Sequence, residues 1–279
     1  MATAGPPETV SAPRPQPARW NLFTVAQAIP PEAPERWLNG VSVWPFPAGP
    51  GDGWDPCGEG TFRPKAAGDD LALPEFNAFV AYIAETCSSF SARDWAEFMG
   101  RADAALAAVE PFHAERQLAT GDYLLFNSQP NPYLADSNAD VLGSLGEVAA
   151  LVALENAIAD TGKAGVIHAT PGTVTAWAAE SLLLVEGGAL RTYVGTPVVS
   201  GAGYRGARPV NEAAPSATAE WAFATGPVLY GRGNVVRANP PTLAEALDRS
   251  DNTITYRAER DLLVAWDMQL QAAVLVDRS

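Results

Sequence analysis

The segment from Trp37 to Lys65, WLNGVSVWPFPAGPGDGWDPCGEGTFRPK, limits what this chain can fold into more than any other. Val41, Val43 and Phe46 on one side, and Thr61, Phe62 and Arg63 on the other, have the composition of two strands. The Gly/Pro/Asp-rich stretch between them is too long for a tight hairpin turn. Long connections with little structure of their own are usually functional or disordered. This one carries Trp37, Trp44, Phe46, Trp54 and Phe62, and leaving all five in water would be costly. Aromatic side chains on a long loop need something to pack on, and another chain is one such surface. These five are the candidate inter-subunit contacts.

Residues 1–19 precede it with five prolines and almost no bulky apolar side chain. Such a segment cannot bury enough surface to offset its ordering entropy. Two readings stay open: a disordered tail, or an extended arm that becomes ordered on a neighbouring subunit. No basic-then-apolar targeting signal opens the chain.

Downstream, the text is that of a folded protein, 47% hydrophobic and 18% charged over 279 residues. The uncharged run from Ala164 to Ala179 contains Gly and Pro and is too short for a membrane span. Only Cys57 and Cys87 carry thiols, which argues for reduced, structural cysteines. The net charge is −14, and Lys65 and Lys163 are the only lysines among 18 basic residues. That balance opposes nucleic-acid wrapping through phosphate neutralisation but is compatible with a wall that encloses nucleic acid.

Apolar spacing predicts a helix over 91–117, with Ser91 as cap, Trp95, Phe98, Met99, Ala102, Ala105, Leu106 and Val109 on one face, and Pro111 as a kink or end. A second helix is expected over 144–161. Ser144 and Glu147 form its capping box, Leu145, Val148, Leu151, Val152, Leu154 and Ile158 its apolar face, and Gly162 its stop. After it come a strand at 165–168, a short helix at 173–180, and a hairpin of 182–185 with 190–193 about Gly187-Gly188. Strands are expected at 197–200 and 221–230, a helix at 242–249, and closing strands at 253–259, 262–266 and 272–276. The class is α+β.

Catalytic motifs are hard to find. His113 and His168 have no Cys or His at ligand spacing, so both are expected to be structural. Val199-Ser200-Gly201 lacks the preceding glycine of a nucleophile elbow. The string Gly201 to Gly206, GAGYRG, opens no helix and reads as a surface loop. Carboxylates are scattered, and a pair that converges only in three dimensions stays open as a hydrolase alternative. No catalytic residue, metal ligand or cofactor is expected.

The last 115 residues carry a resemblance. A strand ending in His168, the short helix PGTVTAWAAE, a hairpin ending in Thr192 and then YVGTPVVSGAGY resemble the outer domain of tailed-bacteriophage major capsid proteins. Trp221 to Gly231 and the closing NTITYRAERDLLVAWDMQLQAAVLV, with Arg257, Glu259 and Arg260 at its charged positions, are similar to that family's terminal pattern. The resemblance implies a phage major capsid fold with an N-terminal arm (1–36), an extended β-hairpin loop (37–66), a peripheral domain with a long spine helix (67–164 and 241–279, helix 91–118), and an axial domain (165–240). It implies a virion protein assembled in the host cytoplasm. Many copies would form hexamers and pentamers of an icosahedral shell that encloses double-stranded DNA without sequence-specific binding, and would involve no membrane. Scaffold, portal or decoration proteins are further partners the family uses. Some members weld the shell by a Lys–Asn isopeptide bond, for which Lys65 and Asn252 are the positions here; noncovalent contacts are favoured. Encapsulin compartment shells share these motifs, so an encapsulin or another virion component is the alternative.

Overall fold

The computed structural model describes residues 12–29, 36–44, 73–87, 95–123, 130–237, 247–251 and 253–278. In chain order it contains β1 (Gln27–Ala28), β2 (Val41–Ser42), β3 (Glu75–Phe76), β4 (Phe79–Cys87), α1 (Trp95–Thr120), β5 (Asp140–Gly146), α2 (Glu147–Asp160), β6 (Val166–Ala169) and α3 (Pro171–Ala179). There follow β7 (Leu183–Glu186), β8 (Ala189–Thr192), β9 (Val198–Ser200), β10 (Ala219–Thr225), β11 (Val228–Arg237), β12 (Leu247–Asp248), β13 (Thr253–Trp266) and β14 (Gln271–Asp277).

Two five-stranded sheets carry the molecule. In the first, β13 pairs with β4 along one side and with β11 and β12 along the other, and β1 runs parallel to β11. The second has the order β5-β14-β10-β6-β9. Its central strands β10 and β14 are buried along nearly their whole length, as expected of strands covered on both faces. One face packs on α2 and α3 through Leu151, Leu154, Val174, Trp177, Ala222 and Val274. The other face gives Trp221, Phe223 and Ala273 to a core shared with Leu22, Trp37, Leu118, Tyr204 and Trp266.

Helix α1 lies across both units. One row of its buried positions runs Phe98, Ala102, Leu106, Glu110, Ala114, Leu118, one every four residues. Phe98, Ala102 and Leu106 pack on the first sheet with Phe79, Tyr256 and Leu262, whereas Ala114, Leu118 and Ala119 reach the shared core. The spine helix is as long as expected, but it passes through Pro111 and ends at Thr120. An internal proline costs about 3 kcal/mol. Burial of Ala114, Glu115, Gln117, Leu118 and Ala119 beyond it outweighs that.

Several other expectations need correction. Ser144 caps nothing: it lies inside β5, and α2 starts one residue after Gly146, which makes no side-chain cap. Val148 and Val152, assigned above to the apolar face of α2, are exposed. The run 221–230 is two strands in different sheets, broken at Gly226-Pro227, and 253–266 is one strand rather than two. Residues 247–248 are a strand where a helix was expected; most of 242–249, and Ser91, lie outside the described residues. Strands β4 and β5 were not anticipated. The hairpin turn is as read, with Gly187 and Gly188 both at positive φ (59° and 84°), as a type I′ turn requires.

The sheets also divide the chain differently from the expected domains. Residues 140–160 and 271–277 were assigned to the unit with the spine helix. Their strands instead pair with β10 in the second sheet, because β14 runs antiparallel to it from Ala219↔Asp277 to Thr225↔Gln271. Conversely β11, expected with the axial domain, pairs with β13 in the first sheet.

Trp37 sits in the shared core, 8% exposed, against Gly231 of β11: a Cβ there would fall 2.9 Å from the indole. Trp37→Ala is expected to lower unfolding free energy by about 3–5 kcal/mol, and Gly231→Ala by about 1–3 kcal/mol through overpacking. Urea titration followed by tryptophan fluorescence and circular dichroism measures both.

Candidate functional site

Polar groups inside the molecule are spent on one another. Glu110 of α1, with a fully buried side chain, faces Arg232 of β11 and Arg260 of β13, at 2.5 and 3.1 Å. About two turns earlier and later along the same helix, Asp103 takes Arg237 and the Tyr256 hydroxyl, and Arg116 pairs with Asp122. Glu220 is held by Arg278 at 3.0 Å and accepts from Thr170. On the open face of the first sheet Glu259 pairs with Arg257. The Arg237–Asp103, Arg116–Asp122 and Arg257–Glu259 pairs are largely exposed and contribute little. Breaking the contacts of Glu110, by contrast, would leave an uncompensated buried charge, so they specify how helix and sheet dock more than they add net stability.

His168 is sealed. Its Nδ1 lies 2.9 Å from the Tyr204 hydroxyl and its Nε2 2.9 Å from Thr225 Oγ1. Burial drives its pKa down from 6.5 to about 3, so the ring is neutral. His113 Nδ1 meets the Tyr123 hydroxyl at 2.6 Å, and burial lowers its pKa as well. Among the described residues no group of three His, Cys, Asp or Glu could hold a metal ion.

Two open depressions lie among the described residues. One, about 560 Å³, lies between the end of α2 and the 194–197 turn and contains Glu155, Lys163 and Arg191; Glu155 accepts from Thr196 at 2.7 Å. The other, about 660 Å³, lies beside β5 and contains Asp140 and Asp160. In neither does a nucleophile, base and orienting group converge in hydrogen-bonded sequence, which is the geometry that acyl or glycosyl transfer needs.

The base of the expected loop is well defined. Val41 and Ser42 pair antiparallel with Phe76 and Glu75, and the Val43 amide donates to Pro74 at 3.1 Å. This short ladder lies between Trp44 and Leu73, the described residues on either side of 45–72; the strand expected at 61–63 lies outside the described residues. Of the five candidate contact residues, Phe46, Trp54 and Phe62 lie outside the described residues. The remaining two separate. Trp37 is already committed to its own core, while Trp44 at the ladder's edge is 80% exposed.

Other apolar surface stays open where the sequence reading did not look for it. Tyr82 and Val236 both stand opposite Glu259 on the uncovered face of the first sheet. Val148 and Val152 are one turn apart on α2, and Tyr193 and Val194 cap the turn after β8. The alternation in β4, with Phe79 and Ala81 buried and Tyr82 out, belongs to the structure; its sequence opens as the unbroken apolar run FVAYIA, which gives no such signal. Nothing in the periodicity of α2 distinguishes Val148 and Val152 from Leu151 and Leu154.

No protein-family model and no curated protein matches the sequence. Solved structures do. A chain from Mycobacterium phage Ogopogo is similar over 100% of this chain and 97% of its own, with a TM-score of 0.55 at 11% identity. A chain from the capsid of an empty GTA particle covers 100% and 95%, with a TM-score of 0.55 at 13% identity. The capsid of Ralstonia phage GP4 covers 100% and 95%, at 0.50 and 10%. Likeness over the full length of both partners gives the chain the α+β phage major capsid fold.

Protonation of His168 should erode stability on the acid side. Its folded pKa is depressed, so its contribution is present above pH 6.5 and is lost as pH falls towards 3. The difference in unfolding free energy between wild type and His168→Gln is expected to shift against wild type by up to ~1.4 kcal/mol per pH unit across that window, read by urea unfolding from pH 7 to 3.5.

Proposed function

We propose that this chain is a major capsid protein, many copies of which assemble into the icosahedral head shell of a tailed phage and enclose its double-stranded DNA. The observation that carries the reading is a fold matched end to end by capsid chains. Trp44, on the expected loop, is the anchor within reach of a neighbour. Phe46, Trp54 and Phe62 extend the same role along the loop.

The physics of such a shell is multivalent burial. Apolar area removed from water contributes roughly 25 cal/mol per Å² before ordering and association costs are set against it. Each contact is weak, and closure around many copies makes the whole strong. The acidic surface, net −14, suits a container that encloses DNA without gripping its phosphates. Hexamers and pentamers, together with scaffold, portal or decoration partners and assembly in the host cytoplasm, complete the proposal. The buried ion pairs and the sealed His168 favour this reading over a hydrolase.

Deleting 45–65 while keeping the Val41–Val43 ladder should give a folded, soluble subunit that forms no particles. Trp44→Ser should reduce particle yield without changing the unfolding midpoint. Negative-stain microscopy and sedimentation check both, and normal shells from the deletion would refute the proposed role of the loop. A second expectation concerns residues 12–19, which are exposed on the single chain. They should be cleaved readily in free subunits and protected in particles; equal digestion rates in limited proteolysis would count against an arm that orders on its neighbours.

A further inference from the structure

Among the described residues, one buried carboxyl is held without a cation. Glu115 of α1 is 2% exposed and is held by two backbone amides: Leu22 N–H donates to Oε1 and Gly203 N–H to Oε2, each at 3.2 Å. The two donors come from opposite directions. Leu22 belongs to a strap, residues 20–29, that ties the fold together. Its Trp20 carbonyl accepts from Ser200 at the end of β9, its Leu22 is fully buried in the shared core, and Ile29 donates to Tyr230 beside the parallel β1–β11 pair. Gly203 belongs to the GAGYRG turn. A Cβ at Gly201 or Gly203 would fall 2.5 Å from Glu115 side-chain atoms, and one at Gly203 also 2.6 Å from the α1 backbone. Those glycines let the turn close down on the carboxyl, which is the role of a motif that carries no catalysis here.

The charged and titratable groups around it are otherwise engaged. On α1, Arg116 is paired with Asp122 and donates to the Arg205 carbonyl, His113 is turned to Tyr123, and Glu110 is taken by Arg232 and Arg260 of the first sheet. From the turn comes Tyr204, whose hydroxyl is bonded to His168 of the second sheet. On the strap side Arg19 lies over the Trp20 ring. A carboxylate in this place therefore relies on two long amide contacts for its whole solvation.

We propose that Glu115 is a proton-operated latch on the 20–29 strap, which is held most firmly when the carboxyl is protonated and is loosened as it ionises. The sign follows from linkage. Burial raises the pKa of Glu115 from 4.5 to about 7, with the two amide bonds opposing that shift only in part. Lifting the strap hydrates the carboxyl and returns its pKa towards 4.5. Between pH 4.5 and 7 the closed state therefore holds a proton that the open state has released, and rising pH favours opening until the dependence levels off. The latch acts within one copy and does not depend on whether copies assemble.

Hydrogen exchange of the full-length protein, read by mass spectrometry on peptides covering 20–29 and corrected for intrinsic rates, tests this. The strap's opening constant should rise by up to about tenfold per pH unit between pH 4.5 and 7 and then flatten. Glu115→Gln, a neutral shape-mimic of the protonated acid, should remove the dependence. A flat wild-type profile overturns the proposal, and so does a slope that survives in Glu115→Gln. If that variant does not fold, carbon NMR of glutamate-labelled wild type decides instead. A carboxyl titrating near pH 7 supports the latch, and the absence of any titrating above pH 6 sinks it.

Discussion

Helix α1 can serve two sheets at once because its buried positions advance by four residues while a turn takes 3.6. Each step from Phe98 to Leu118 therefore turns the buried face by about 40° around the axis. At its start the helix presents Phe98, Ala102 and Leu106 to the first sheet; by Ala114 and Leu118 it faces the core shared with the second. A strict heptad would have kept one face on one partner. The drift makes the helix a joint, and the relative placement of the two sheets follows from it.

The polar residues along that turning face locate the joint. Glu110 falls where the helix leaves the first sheet and is met there by Arg232 and Arg260 from adjacent strands. Glu115, little more than a turn later, falls where the strap and the 201–206 turn converge. An apolar side chain at either place would pack against any neighbour of suitable size. A buried carboxylate accepts only the geometry that supplies its donors, which is how a large interface is held to one arrangement. The same property makes Glu115 responsive to protons, because its donors are amides and not cations.

What could be read from the sequence was local. The 187–188 hairpin, the stop at Gly162, the short helix behind Pro171 and the long spine helix follow from turn chemistry and periodicity, and the capsid likeness was visible in the order of these pieces. What could not be read was decided by partners far along the chain. β10 and β11 form one apolar run in the text, yet a Gly-Pro step sends them into different sheets. Ser144 and Glu147 have the spacing of a capping box, but pairing with β14 claims Ser144 for a strand. Pro111 would end an isolated helix and is overruled by burial on both sides of it. The function of GAGYRG lay in the empty space at its glycines, which no motif records. For the candidate contact residues, spacing could group five aromatics but could not say which of them the fold would keep.

Trp37 and Trp44 are seven positions apart and meet opposite fates, and the contrast bears on assembly. The short helical turn at Arg36–Asn39 brings Trp37 against Gly231, a strand position without a side chain, where the indole fills space nothing else could. That seating fixes the entry to the excursion against the first sheet. Trp44 then follows the β2–β3 ladder and is 80% exposed. In the proposed contact between copies, an aromatic that starts beside a paired strand would lose less conformational freedom on binding than one on a free segment. The seating of Trp37 thus fixes the start of the strand beyond which Trp44 emerges.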